Sequence, residues 1–192
     1  MMKKRILFII LVLIIGLCGY SFYVSKYSLS VSSYEISNPK VIKPIRIVQL
    51  SDLHNSSFGK DNEKLVVEVE KQNPDVILIT GDLVNDKESS ETSIAVKLIT
   101  DLTKIAPVYI SYGNHEDSLE NCYGVDISNI YKDAGGIILK DDYLDVSIRQ
   151  QEIRLGGIYG YCPPYTYSQE THREVESDYL KSFQTTDGLK IL

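Results

Sequence analysis

The sequence predicts an α/β domain built on a parallel sheet, preceded by an N-terminal transmembrane helix. The helix is indicated by an uncharged apolar run near the start of the chain. The sheet is indicated by short apolar runs that alternate, from residue 45 onwards, with segments of helical periodicity. Alternation at these lengths is typical of parallel βαβ units. A chain of 192 residues has room for one such domain and an appendage.

Residues 1–25 are predicted to be a transmembrane anchor. Lys3, Lys4 and Arg5 precede 19 uncharged residues, 6–24, close to the roughly 20 that cross a bilayer core. A signal peptide is the alternative, although no small-x-small cleavage site follows the run. In either case the basic residues favour the cytoplasmic side. We therefore expect a single-pass protein of the cell membrane with its domain on the extracytoplasmic side.

The rest of the chain is acidic, which argues against general nucleic-acid binding. Beyond Arg5, 17 basic residues stand against 26 acidic ones, a formal charge of −9. Such a domain repels a phosphate backbone at long range. A phosphate-ester substrate is still compatible with this charge, because bound cations reverse the field locally.

The elements of the α/β part follow from the positions of apolar residues. Residues 26–44 are predicted to be a linker and an edge strand, and residues 45–192 the domain. The predicted strands are short, apolar and β-branched, whereas the predicted helices are stopped before Pro74 and Pro107. In order, the pattern predicts a strand at 45–50, a helix at 62–72, a strand at 76–80, a helix at 91–105, a strand at 108–111, a helix at 127–133 and a strand at 137–139.

The last quarter of the chain has a different pattern. Two alternating runs at 143–148 and 153–158 predict an antiparallel hairpin, and a polar helix is predicted over 172–183. Residues 188–192 read as the start of another strand. Because the sequence stops within that element, the domain is expected to be incomplete at its C-terminus.

Polar residues follow each of the first three predicted strands. The three segments read SDLH, GDLV and GNHE, and they contain Asp52, His54, Asp82, Asn114 and His115. The carboxyl ends of parallel strands meet at one edge of a sheet, where ligands bind. Carboxylate, amide and imidazole ligands suit Mn²⁺, Fe or Zn²⁺. The sequence therefore predicts a metal site at this edge.

The spacing within these segments suggests how they reach a metal. Asp52 and His54 are two residues apart, so an extended backbone would place both side chains on one side, where they chelate one ion. Gly81 would let the backbone turn sharply, so that Asp82 approaches the centre and bridges two ions.

The third segment is predicted to supply an amide ligand and an acid. Gly113 would turn the chain for Asn114 as Gly81 does for its neighbour. His115 would then lie beside the site as a general acid. Two metal ions there would clamp a phosphoryl oxygen and generate hydroxide near neutral pH.

Taken singly, the motifs have ordinary structural explanations. Asp-x-His and Gly-Asp are common in turns and helix caps. Three further acidic residues near the site, Asp86, Asp117 and Asp126, are interpreted as solvated loop residues or helix caps. The order of the motifs, each at the end of a strand, favours a site over an unrelated α/β domain with polar turns.

The series SDLH, GDLV, GNHE resembles the first three motifs of the calcineurin-like metallophosphoesterase superfamily. With the N-terminal helix, the chain is most similar to its bacterial membrane-associated phosphodiesterase branch. The resemblance covers residues 45–192. It implies an α/β/β/α sandwich, a site for two divalent metal ions (Mn, Fe or Zn), and hydrolysis of phosphomonoesters or phosphodiesters.

The resemblance also implies a role for each matching residue. Asp52, His54 and Asp82 would bind the first metal, with Asp82 bridging to the second. Asn114 would bind the second metal. His115 would donate a proton to the leaving group.

One departure from the family pattern concerns later histidines. The family places further histidines after the third motif, whereas the remaining histidine here is His172, which is interpreted as a surface residue. We therefore expect the incomplete ligand set to weaken metal binding and impair activity. The alternative is a non-catalytic cell-surface protein built on a decayed phosphoesterase scaffold.

Overall fold

A computed structural model describes residues 2–86, 91–159 and 178–192 of the chain. The chain divides into two compact units, Met1–Glu35 and Ile36–Leu192. A polar helix is predicted over 172–183, and its first part, residues 172–177, lies outside the described residues. His172 belongs to that part.

The first unit contains the helix α1, Met2–Tyr27. Within it, Lys4–Phe22 has a mean hydropathy of 2.4 and is not buried by other parts of the chain. Among the described residues, α1 is the one helix that is long enough and apolar enough to cross a bilayer. A signal sequence near an N-terminus has the same properties.

The second unit begins with a parallel sheet. Its strands are β1 (Ile47–Leu50), β2 (Val76–Thr80), β3 (Val108–Ser111) and β4 (Ile137–Ile138), paired in that order and all parallel. The β-branched apolar runs form these strands because both faces of the central ones are covered. The prediction of a parallel α/β sheet is confirmed.

Helices connect these strands. In chain order they are a 3₁₀ turn (Lys60–Asn62), α2 (Glu63–Lys71), α3 (Ser93–Leu102), α4 (Asn114–Tyr123) and α5 (Ile127–Asp133). The helix α4 was not predicted. Asp126 caps α5 by accepting a hydrogen bond from the Asn129 amide over 3.0 Å, which confirms its interpretation as a helix cap.

A second sheet packs against the first. It contains β5 (Asp142–Ile148), β6 (Gln151–Gly157) and β7 (Leu189–Ile191). The β5–β6 pair is the predicted antiparallel hairpin, and β7 adds parallel to β6. A shared core joins the two sheets, formed by the buried side chains of Val76, Tyr109, Leu139, Ile148, Ile153 and Leu155.

Helices cover the outer faces of both sheets. On the first sheet, a Cβ atom on Gly136 would lie 2.6 Å from Ile110 of β3 and 3.4 Å from Ile99 of α3. On the second sheet, residues 178–183 are helical. There a Cβ atom on Gly156 would lie 2.3 Å from the Tyr179 hydroxyl. The layers are therefore α/β/β/α, in agreement with the predicted fold class.

The N-terminal arm, residues 36–46, contains no strand, so the predicted edge strand is wrong. The arm is held by a side chain instead of a backbone ladder. The amide of Ile42 donates to Oε1 of Gln151 over 2.6 Å, and Nζ of Lys43 donates to Gln150 over 2.9 Å. Both acceptors lie at the β5–β6 turn.

Candidate metal centre

Three loops meet at the carboxyl ends of β1, β2 and β3. We call residues 51–55 the first loop, 81–86 the second and 113–116 the third. The first two continue the parallel pairing of their strands, because amides of the first loop donate to carbonyl oxygens of the second. These hydrogen bonds, of 2.9 to 3.1 Å, run from Asp52, His54 and Asn55 to Gly81, Asp82 and Leu83 respectively.

Side chains from all three loops converge. One potential ligand atom from each of His54, Asp82 and His115 lies within 4.8 Å of the others. The two imidazole rings are 4.7 Å apart between centroids, edge to face. Oδ1 of Asp52 lies 3.9 Å from Nε2 of His54. Asn114 is the first residue of α4 and precedes His115.

The backbone conformation of the first loop differs from the predicted one. Asp52 has a φ of 55° and His54 a φ of 46°, so both are left-handed and the predicted extended backbone is wrong. The left-handed turns keep the amides directed at the second loop. Asp and His are both among the non-glycine residues that adopt this region more often than most.

The two glycines act differently from each other. Gly81 has a φ of 91°, as the predicted sharp turn requires. Gly113 is extended, with a φ of −101° and a ψ of −176°, so its predicted role in a turn is wrong. A Cβ atom on Gly113 would lie 2.1 Å from Oδ1 of Asp82 and 2.6 Å from its amide nitrogen. Gly113 is therefore required for close approach of the two loops.

The ring of His115 is held by Asp86. Nδ1 of His115 lies 2.6 Å from Oδ1 of Asp86, and the two side chains are 15% and 21% exposed. Burial raises the pKa of Asp86, but hydrogen bonds from Ser118 and His115 outweigh it and lower the pKa overall. In the tautomer with its proton on Nδ1, His115 donates a hydrogen bond from Nδ1 to the ionised carboxylate, and Nε2 is left without a proton. The interpretation of Asp86 as a solvated or capping residue is wrong.

Sequence reasoning gave Glu116 no role, yet this side chain is fully buried behind the loops. Its carboxylate accepts hydrogen bonds from the amides of Asp82, Leu83 and Gly113. The signal that could have revealed part of this is the Gly-x-x-Glu spacing. In a capping box, a Glu three residues after the N-cap binds the N-cap amide.

Asp117 also differs from its interpretation as a solvated or capping residue. It is 7% exposed and lies 3.3 Å from Nζ of Lys140. Lys140 also pairs with Glu120 at 3.0 Å. Lys140 therefore joins two carboxylates that lie three residues apart on α4.

The donor set fits a divalent metal ion. Imidazole nitrogens of His54 and His115 and a carboxylate oxygen of Asp82 lie within 4.8 Å of one another, close enough to hold one metal ion, and mixed nitrogen and oxygen donors suit transition metals. Among the described residues, no lysine or arginine pairs with the carboxylates of Asp52 and Asp82. Within the described part of the chain, these carboxylates therefore have no lysine or arginine partner that a cation would displace.

Comparison with known proteins identifies relatives that contain similar domains. An uncharacterized metallophosphoesterase from Campylobacter jejuni, Cj0846, is 30% identical over 45% of this chain and 23% of its own length. YkuE of Bacillus subtilis, another uncharacterized metallophosphoesterase, is 25% identical over 68% of this chain and 47% of its own. The phosphodiesterase YaeI of Escherichia coli is 27% identical over 63% and 47%. The chain thus spans about half or less of each relative's length.

The family assignment rests on a broader match. The family model for the calcineurin-like phosphoesterases, a metal-dependent group of hydrolases, matches residues 45–187. That range holds all three loops and most of both sheets, and it agrees with the resemblance seen in the motifs. The chain belongs to the calcineurin-like phosphoesterase family.

Proposed function

We propose that this chain hydrolyses phosphomonoesters or phosphodiesters at the edge of the first sheet. The observation that carries the proposal is the convergence of His54, Asp82 and His115 within 4.8 Å. These side chains come from three loops that are distant in sequence. A set of imidazoles and carboxylates at the carboxyl end of a parallel sheet is suited to phosphate chemistry assisted by metal ions.

The chain offers ligands for two ions. Asp52, His54 and Asp82 would hold the first, supported by the 3.9 Å separation of Asp52 and His54. Asp82 would bridge to the second, held also by Asn114 at the start of α4. When bound, such ions polarise the phosphoryl group and supply a nucleophile at neutral pH.

His115 would protonate the leaving oxygen. Asp86 accepts the proton on Nδ1 and fixes the orientation of the ring. In the doubly protonated imidazolium, Nε2 would carry the proton that passes to the ester oxygen, which leaves the neutral ring with its proton on Nδ1. A second hydrogen bond, from the His115 amide to Oδ1 of Asp82 over 3.0 Å, fixes the backbone of this acid relative to a metal ligand.

The same proposal places the domain outside the cytoplasm. The helix α1 would stay in the membrane as a single span, because its length and hydropathy match a bilayer core. Lys3, Lys4 and Arg5 precede the span and favour the cytoplasmic side. The substrate would then be an extracytoplasmic phosphate ester.

The test is the substitution Asp82→Asn, assayed with bis-p-nitrophenyl phosphate and Mn²⁺. The amide keeps the shape of the side chain and removes the bridging charge, so turnover should fall by about 100-fold or more. Asp61→Asn is the matched control, because Asp61 is exposed and has a φ of 53° against 55° for Asp82. Unchanged turnover in the Asp82 variant, or no Mn²⁺-dependent turnover in the unsubstituted chain, would contradict the proposal.

A further inference from the structure

We propose that Glu116 is a positioning residue that holds all three loops in their metal-binding arrangement before a metal ion arrives. The claim about loop order stands on the geometry alone. The claim that this order serves metal binding rests on the proposed function. No step of hydrolysis assigned above uses Glu116.

The carboxylate of Glu116 joins the second loop to the third. Its Oε2 atom accepts the amides of Asp82 over 2.8 Å and Gly113 over 3.0 Å. Its Oε1 atom accepts the amide of Leu83 over 2.8 Å and the hydroxyl of Tyr131 over 3.2 Å. The side chain is 0% exposed, so water does not compete for these donors.

Four donors match the acceptor capacity of one carboxylate. Burial and the charge of Glu116 both raise the pKa of Tyr131, which keeps its hydroxyl a donor. Buried charge is tolerated when it is fully hydrogen-bonded. A glutamine would direct its NH₂ group at two of these donors whichever way it is turned, so the amide cannot replace the carboxylate.

The influence of Glu116 extends to the first loop through two residues. Asp82 and Leu83 donate their amides to Glu116, and their carbonyl oxygens accept the amides of His54 and Asn55. The left-handed first loop therefore depends on a second loop that Glu116 fixes. We call the hydrogen bonds of the Glu116 carboxylate the clamp. Loss of the clamp should loosen the first and second loops, together with the proposed metal ligands that each carries.

A matched control lies next to Glu116 on the same helix. Asp117 is also a buried carboxylate, 7% exposed, and it accepts a hydrogen bond from Lys140 instead of a loop amide. Asp117→Asn and Glu116→Gln each exchange a buried carboxylate for an amide on α4. A role limited to folding would give both variants the same consequences.

The first measurement is amide hydrogen exchange of the metal-free chain. Glu116→Gln should speed exchange at least about 10-fold in peptides covering residues 51–55 and 81–86, because their hydrogen bonds are lost or loosened. The Gly113 amide of the third loop also loses its acceptor and should exchange faster, whereas the rest of the domain should be unchanged and Asp117→Asn should leave the loops protected. This readout needs neither metal nor substrate.

The second measurement is Mn²⁺ affinity by calorimetric titration. Outer partners of metal ligands typically contribute 10- to 100-fold in affinity, and we expect a loss of about that size in Glu116→Gln and none in Asp117→Asn. Tyr131→Phe removes one neutral donor and keeps the charge. It should weaken Mn²⁺ binding by less than about 10-fold, and it covers the case in which Glu116→Gln does not fold.

The outcomes separate the two claims. Protected loops in Glu116→Gln, faster exchange spread evenly over the domain, or equal effects from Asp117→Asn would overturn the positioning role. If the unsubstituted chain binds no Mn²⁺ but Glu116→Gln selectively loosens both loops, the clamp is upheld and the proposed function fails. Loose loops combined with unchanged Mn²⁺ affinity would overturn the link between the clamp and metal binding.

Discussion

Two carboxylates tie chain segments together at opposite ends of the first sheet, and they do so with different partners. Glu116, at the carboxyl end, accepts three backbone amides and one phenol hydroxyl. Asp75, just before β2, accepts the amide of Arg46 over 2.8 Å and Nε of Arg149 over 2.7 Å. One carboxylate is held by neutral donors, whereas the other is neutralised by a cation.

The difference shows which end of the sheet is prepared for a positive ligand. Asp75 already has its counter-ion, so its end of the sheet is complete. Among the described residues, no lysine or arginine pairs with any carboxylate of the site end, that is, with Asp52, Asp82, Asp86 or Glu116. Within these described residues, carboxylates without a lysine or arginine partner favour a cation at that end.

The strongest way to break the site end is Gly113→Ala. The new Cβ atom would meet Oδ1 of Asp82 at 2.1 Å and its amide nitrogen at 2.6 Å. The second and third loops would have to separate, so we expect a loss of about 3 kcal/mol or more in unfolding free energy. Urea denaturation measures the first effect, and Mn²⁺ titration should show binding abolished.

Gly124→Ala is the control for this substitution. Gly124 ends α4 with a φ of 66°, and nothing lies within 4 Å of its Cβ position. The cost there is left-handed strain alone, about 1–2 kcal/mol, with Mn²⁺ binding retained. Equal losses of stability in the two variants would show that the loops are not in close approach.

A smaller effect should separate metal binding from folding within the site end. His54 has a side chain that is 38% exposed and a left-handed backbone that asparagine accepts more readily. We expect His54→Asn to keep the stability of the metal-free chain within about 0.5 kcal/mol. If His54 is a ligand as proposed, Mn²⁺ affinity should fall at least about 10-fold, since a shorter amide replaces the imidazole. A stability loss without a change in affinity would remove His54 from the metal site.

The smallest effect is expected at the far end, from Asp75→Asn. Burial raises the pKa of Asp75, but hydrogen bonds and charge from Arg46 and Arg149 outweigh it and hold the pKa below 3.8. The ionised pair therefore stabilises the fold above that pH, and its contribution is lost as pH falls through the lowered pKa.

The variant should be less stable by about 1 kcal/mol at pH 7, since Arg149 is half exposed and screened. The difference from the unsubstituted chain should shrink as the pH falls through the lowered pKa of Asp75. Thermal denaturation across this range measures the effect. Weakened Mn²⁺ binding by the Asp75→Asn variant at pH 7 would show that the two ends of the first sheet are coupled. That result would contradict the separation of the two ends.

The sequence predicted the sheet well because local signals suffice for it. The runs VILIT and VYIS became β2 and β3 with the predicted bounds, 76–80 and 108–111, since both are short, apolar and punctuated by Gly or Pro. The convergence of the three motifs at one edge followed from the parallel topology.

What could not be predicted depends on contacts distant in sequence. Glu116 accepts hydrogen bonds from backbone amides more than 30 residues away. Because almost every residue has a backbone amide, the sequence does not indicate which of them a buried carboxylate will bind. Asp86 was misinterpreted because its partner, His115, lies 29 residues further along. The role of Gly113 depends on the space between two loops, which is a property of packing and not of local conformation.

The attachment of the N-terminal arm has a mechanical consequence. A pull on the chain before residue 36 would load the hydrogen bonds that join Lys40 to Gly188, and Ile42 and Lys43 to the β5–β6 turn. Those bonds resist tension ahead of β1, which leads into the first loop. The N-terminal arm would therefore bear tension applied to the N-terminal segment before that tension reaches the first loop.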